Sequence, residues 1–189
     1  MNIVTLTYGG RTVVRPDTTW EKDNEDLFVP EFVDCLTFTP VVFAKVSKPG
    51  RSIGRSFVPR YFEKVGCGIL LYPEDFISGG APEGFAQACC LDHTSFLPGG
   101  MSDRTAVPGG DFLVSADARE VFRSPLPALS VIEDGISEVS RFCYLRIGDL
   151  VAVEIAGRME LCRRDSGSLC HIVAGNAGNA PVLDFNIHF

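Results

Sequence analysis

A chain of 189 residues, 46% hydrophobic and 22% charged, has the length of one globular domain and enough apolar content to bury a core without cross-links. A net charge of -7 excludes a uniformly basic surface of the kind that wraps nucleic acid or coats anionic lipid, while leaving room for a local basic patch. No apolar run approaches the roughly 20 residues needed to cross a bilayer, and no positive, apolar leader opens the chain. Seven cysteines without framework spacing point to reduced thiols and therefore to the cytoplasm.

No internal repeat, low-complexity tract or linker divides the sequence, so one domain is expected. Residues 2 to 14 alternate weakly around Tyr8-Gly9-Gly10, which predicts a short hairpin. From Cys35 to Val46, β-branched and aromatic residues dominate, as in a strand. Pro40, which lacks a backbone donor, suggests that this strand is an edge or carries a bulge. Between Pro59 and Val65 the residues Tyr61, Phe62 and Val65 recur at helical spacing, and Pro59 suits a first turn. Residues 66 to 72 read as a buried strand. The glycines and prolines of residues 77 to 110 predict surface loops of the kind that line sites.

Ser130 and Glu133 have capping-box spacing, and Ile132, Ile136, Val139 and Cys143 then mark one helical face. The closing Leu183-Asp184-Phe185-Asn186-Ile187-His188-Phe189 alternates strictly, as a strand buried on one side does. Together these elements describe a strand-rich α+β domain with short helices and long connections.

Several strings in this order resemble the fumarylacetoacetate hydrolase family. Arg15-Pro16-Asp17 is similar to its early Lys-Pro-Asp, and residues 28 to 32, Phe-Val-Pro-Glu-Phe, match an apolar-Ile-Pro-x-Phe stretch. Gly50-Arg51-Ser52-Ile53 resembles its Gly-Lys-Asn-Ile loop, and residues 60 to 65 with Gly68-Ile69 its helix and strand leading into the metal site. Ser140-Arg141 through Leu145 to Gly148-Asp149-Leu150 is similar to Ser-Arg-x-x-x-Leu-x-x-Gly-Asp-Leu. The likeness spans residues 13 to 80 and 112 to 155. It implies a mixed β-sheet roll with short helices, a homodimer, and hydrolysis, isomerisation or decarboxylation of small oxo-acids with Mg²⁺ or Mn²⁺. Relative to that family the chain reads as truncated at its amino end, without the leading Gly-Arg-Asn-Tyr segment and the lid bearing a His-Glu pair.

At the positions where the resemblance places the metal-binding Glu-x-Glu and Asp, this chain has Thr39, Val41 and Leu70. A hard divalent cation wants converging carboxylate oxygens, so no metal cofactor is expected, and no acid occurs from residue 35 to 62 to rescue a shifted register. The catalytic lysine falls near Cys89, and the Thr-Gly-Thr-Pro turn is replaced near Glu154. What remains is a remnant cleft of Thr39, Val41, Leu70, Arg15 and Asp17, suited to a neutral or amphipathic small molecule or to an assembly partner. The leading expectation is a non-catalytic or metal-independent relative.

The alternative is an active oxo-acid hydrolase, isomerase or decarboxylase working through a relocated site of Cys89, Asp92 and His93, since an imidazolium lowers a neighbouring thiol's pKa. Adjacent loop residues rarely face one another, which weighs against that set. Cys162, Cys170 and His171 fit no zinc spacing. Asp165, Ser166 and His171 lack a nucleophile elbow. The basic stretch Lys45, Lys48, Arg51, Arg55 and Arg60 comes without a nucleic-acid motif and reads as a solvated loop, so neither nucleic acid nor membrane is expected as a partner.

Overall fold

A computed structural model of the chain describes residues 1–106 and 109–189. Its first strands are β1 (Asn2–Leu6), β2 (Thr12–Pro16), β3 (Trp20–Glu21), β4 (Leu27–Phe28), β5 (Cys35–Val46) and β6 (Phe62–Pro73). Helices α1 (Glu74–Ile77) and α2 (Pro82–Ala88) precede β7 (Ser95–Phe96), β8 (Ser102–Asp103), β9 (Asp111–Ala116) and β10 (Arg119–Pro125). Helix α3 (Ser130–Val139) leads to β11 (Leu150–Glu154), β12 (Met159–Arg163), β13 (Leu169–Asn176) and β14 (Leu183–His188).

Nine strands make one mixed sheet in the order β2-β1-β11-β5-β6-β7-β3, with β12 also on β5 and β8 on β6. Five more form the sheet β10-β9-β13-β14-β4. The strand-rich α+β roll expected from the sequence is the architecture found.

Period-two alternation decides what each face of the large sheet covers. On β5, Leu36 and Phe38 point into the core shared with the small sheet, where they meet Phe112, Val114, Ile172 and Phe185. Further along the same face, Val42, Ala44 and Val46 meet Ile132, Ile136 and Val139 of α3. The opposite face, with Val41 and Phe43 of β5, Leu70 and Tyr72 of β6 and Leu150 and Ala152 of β11, lines the inside of the roll. Gly68 lets the turn of the roll stay tight, because a Cβ there would land against the Phe96 carbonyl oxygen.

The predicted hairpin forms, with β1 and β2 antiparallel and Gly10 at φ +75° in the turn. Pro40 lies in the central strand, not at an edge. Its carbonyl accepts from Ile155 N at 3.0 Å where β11 ends and β12 has yet to begin, so the missing donor falls in a gap between two ladders. The helix predicted for 59 to 65 is instead a 3₁₀ turn, Arg55–Arg60, followed by β6 from Phe62, because the long ladder with β5 outweighs weak helical periodicity. The predicted loop stretch 77 to 110 holds α2, β7 and β8; its residues 107 and 108 lie outside the described residues. Helix α3 forms, but Ser130 is inside it, Leu129 is the N-cap with no side-chain cap, and Glu133 pairs with Arg55. The closing strand buries Leu183, Phe185 and Ile187 as alternation predicts.

Strand β4 is only two residues long and joins β14 in parallel at Ile187 and His188. Asp26, just before it, holds that junction: its carboxylate accepts from Asn186 N at 2.8 Å and lies 3.1 Å from His188 Nε2. The Asn186 amide first, and His188 next, lower the Asp26 pKa from its ordinary 3.8. A depressed carboxylate contributes stability that is complete above pH 3.8 and disappears as pH falls through the folded value. In urea unfolding, Asp26→Asn should therefore be less stable than wild type at about pH 7, with the difference shrinking below pH 3.8. A difference independent of pH would show that the ionised carboxylate contributes nothing.

Candidate functional site

Inside the roll, one side chain reaches from the β2 end of the large sheet to β6 and β7. Arg15, on β2, is fully buried, and its guanidinium donates to Leu71 O at 2.7 Å, Ser95 Oγ at 3.0 Å, and both Thr94 O and Thr94 Oγ1 at 3.3 Å. It also sits 4.4 Å from the centroid of the Tyr72 ring. Its Nε has no hydrogen-bond partner among the described residues. Thr19 Oγ1 adds a 2.9 Å contact to Ser95 Oγ, tying the segment after β2 to β7.

Beyond Tyr72 lies a buried carboxylate. Glu154 ends β11 on the same inward register as Leu150 and Ala152. Its Oε1 accepts from Tyr72 Oη at 2.5 Å and Thr39 Oγ1 at 3.0 Å, and its Oε2 from Tyr8 N at 2.7 Å. Burial pushes the Tyr72 phenol well above its ordinary pKa, against the pull of Arg15, so it stays a hydrogen-bond donor. A cleft of about 380 Å³ opens from this network to solvent, walled by Tyr8, Tyr72 and Phe85, with Arg11 and Arg158 at its sides. Phe85, carried by α2, stacks on Tyr72 at 5.7 Å, and Glu74 holds Arg158 at 3.0 Å.

Of the remnant-cleft residues expected from the sequence, Thr39 lines this cleft, and so does Glu154, where the family's turn was expected to be replaced. Val41 and Leu70 are fully buried among Phe43, Leu97 and Ala152, and Arg15 lies behind Tyr72. Asp17 is exposed and pairs with the amino terminus at 3.7 Å. Tyr72 and Glu154 carry the cleft's chemistry, and only Glu154 had a sequence signal: an acid closing the apolar run Leu150-Val151-Ala152-Val153.

Cys89 parts company with its neighbours. It is buried, and desolvation raises its pKa although the Arg15 charge opposes the rise. Asp92 and His93 face outward instead, lining with Cys90 and Glu25 a separate cavity of about 550 Å³. His93 takes the left-handed backbone conformation at φ +56°, and its Nδ1 lies 3.3 Å from Glu21 Oε2. His171 contacts Asp184 at 2.8 Å and not Ser166, so no Asp165-Ser166-His171 set exists. In the basic stretch, Arg55 is neutralised by Glu133 and Asp134.

A divalent cation finds no oxygens at Val41 or Leu70, and the Thr39 hydroxyl is engaged with Glu154. Elsewhere, ligand atoms of Glu21, Glu25 and His93 lie within 4.8 Å of one another, a donor set that divalent metals accept.

No protein-family model matches the sequence, and no curated protein matches it either. Solved structures do match. The chain is similar to a protein from Yersinia pestis CO92 assigned to the fumarylacetoacetate hydrolase family, with 17% identity, TM-score 0.77 and coverage of 98% of this chain and 91% of that one. It is similar to fumarylpyruvate hydrolase from Pseudomonas aeruginosa, solved with Mn²⁺ and pyruvate, with 16% identity, TM-score 0.80 and coverage of 100% and 90%. 5-Carboxymethyl-2-hydroxymuconate delta-isomerase from Mycobacterium smegmatis matches at 12% identity and TM-score 0.77, over 99% and 76%. The chain thus has the fumarylacetoacetate hydrolase fold, shared by hydrolases and isomerases. The expectation that no metal cofactor belongs here is corrected: a protein of this fold binds Mn²⁺, and this chain gathers Glu21, Glu25 and His93 as candidate ligands.

Arg15→Met removes the donor to Leu71 O inside the roll, while Thr94 O keeps its bond from Leu71 N at 2.7 Å. Leaving the buried Leu71 carbonyl unpaired should cost about 2 kcal/mol in chemical denaturation, with Arg15→Lys in between. A neutral Arg15→Met would show that the guanidinium does not stabilise the roll.

Proposed function

We propose that this chain binds a small carboxylic acid in the cleft over Glu154 and acts as a receptor, not a catalyst, for it. The observation that carries this reading is that Arg11 and Arg158, the latter oriented by Glu74 through Nε and Nη2, flank one cleft with the aromatic walls Tyr8, Tyr72 and Phe85. Planar guanidinium groups suit carboxylates, and aromatic walls suit a flat conjugated acid. The likeness to a fumarylpyruvate hydrolase solved with pyruvate supports the same ligand class. The receptor reading follows from how the cleft's ionisable groups are occupied. A general base needs a free lone pair aimed at substrate. Glu154 has three of its about four acceptor sites taken by Tyr72, Thr39 and the Tyr8 amide, and Tyr72 is held protonated. The exposed Phe142, Tyr144 and Ile147 after α3 support a homodimer, and the seven thiols a cytoplasmic setting.

Calorimetric titration with pyruvate and with an acylpyruvate tests the proposal. Saturable binding without turnover is expected, weakened at least about tenfold by Arg158→Ala, the loss of a charge-assisted hydrogen bond. Undiminished binding by Arg158→Ala would refute the cleft assignment, and turnover would refute the receptor role.

The group Glu21, Glu25 and His93 favours a second reading, in which oxo-acid chemistry occurs in the outer cavity beside Asp92 with a divalent cation held there. It predicts that Mn²⁺ raises thermal stability, because a ligand of the native state must, and that His93→Ala abolishes both this rise and acylpyruvate turnover. Wild type unmoved by Mn²⁺ and inactive on acylpyruvate eliminates it.

A further inference from the structure

The two sheets meet at a point that neither reading uses. Strand β12 pairs with β5 in the large sheet, β13 sits between β9 and β14 in the small one, and the short loop between them carries the chain across. Cys162 stands at the departing end of that crossover and Cys170 at the arriving end. The β12 register shifts between Glu160 and Cys162, a bulge that re-aims the side chains around it. As a result Leu161 and Cys162 both pack on the core that contains Cys170.

Cys162 and Cys170 also line one cavity of about 330 Å³, whose mouth is polar, with Asp117, Arg119, Glu160, Arg163 and Ser166. A small hydrophilic oxidant therefore reaches them without the core opening. Within that cavity the neighbouring Cys162 thiol holds the Cys170 pKa down, while Cys170 and burial push that of Cys162 up. The Arg119 charge favours the Cys170 thiolate further, while burial and Asp117 oppose it. The pair is thus chemically unequal, with Cys170 the nucleophile and Cys162 the proton-bearing partner. Cys35 is close enough to Cys162 to influence its charge but lies beside Arg163 on the neighbouring strand, outside the cavity lining.

We propose that Cys162 and Cys170 form a reversible, peroxide-sensitive disulfide that links the large sheet to the small one. The Cys170 thiolate attacks one oxygen of hydrogen peroxide; the O–O bond breaks, hydroxide leaves and takes up a proton, and Cys170 becomes a sulfenic acid. The Cys162 sulfur then attacks the Cys170 sulfur, forming the S–S bond and expelling the sulfenic oxygen as water. Two thiols lose two electrons and two protons in all, and one peroxide becomes two waters. A dithiol restores the starting state by exchange.

The full chain, reduced and then exposed to stoichiometric hydrogen peroxide, should lose two of its seven free thiols. Non-reducing peptide mapping should find the 162–170 cross-link lighter by two hydrogens, reversible by dithiothreitol. Cys162→Ser should leave a Cys170 sulfenic acid that a 1,3-diketone probe traps, whereas Cys170→Ser should prevent both the cross-link and the trapping. A Cys35→Ser variant should oxidise like wild type. A first-formed cross-link through Cys35 or between chains through the exposed Cys90 would overturn the assignment, as would oxidation spread evenly over all seven thiols. Because wild type alone gives the primary readout, a variant that fails to fold leaves the test intact.

Discussion

A charged group with no carboxylate beside it, sealed inside a sheet, governs this molecule. The nine-stranded sheet runs from β2 to β3, and the Arg15 side chain reaches from β2 across the inside of the roll to carbonyls and hydroxyls of β6, β7 and the residue before β7. That reach places a guanidinium in the interior, where an isolated charge is costly. Four acceptors and the face of Tyr72 offset that cost.

The same buried charge explains why the cleft is anionic at its base. Tyr72 receives the Arg15 cation on its ring and donates its hydroxyl to Glu154, so a positive group, a polarisable ring and a negative group stand in line from the interior toward solvent. In a medium of low dielectric such a line is self-supporting, since each member stabilises the next. It also fixes where ligand chemistry can occur. The inner face is apolar at Val41 and Leu70, the cross-strand partners of Glu154 and Thr39, and becomes polar beside them where Thr39, Tyr72 and Glu154 converge.

Much of this was legible in residue patterns. Strict alternation in Leu183 to Phe189 and the β-rich run from Cys35 to Val46 report faces directly, because a strand with one buried side leaves no freedom in register. Pro40 misled because its cost depends on whether a neighbouring ladder is present at that spot, which only the ends of β11 and β12 determine. Ser130 and Glu133 misled for a related reason: spacing suited a capping box, yet Glu133 found a cation, Arg55, from a segment far away in the chain. At the site, the sequence pointed to Thr39, which does line the cleft. Its partners were not legible, since the Glu154 network joins residues separated by up to 146 positions and the Glu21–His93 contact residues separated by 72.

The central claim is that a small carboxylic acid occupies the space in front of Glu154, next to Arg158 and Tyr72. Crystals of the protein soaked in pyruvate together with Mn²⁺ test it most directly. Difference density for pyruvate between Arg158 and Phe85 is the predicted result. Pyruvate found instead beside His93, with anomalous manganese density held by Glu21 and Glu25, would contradict it.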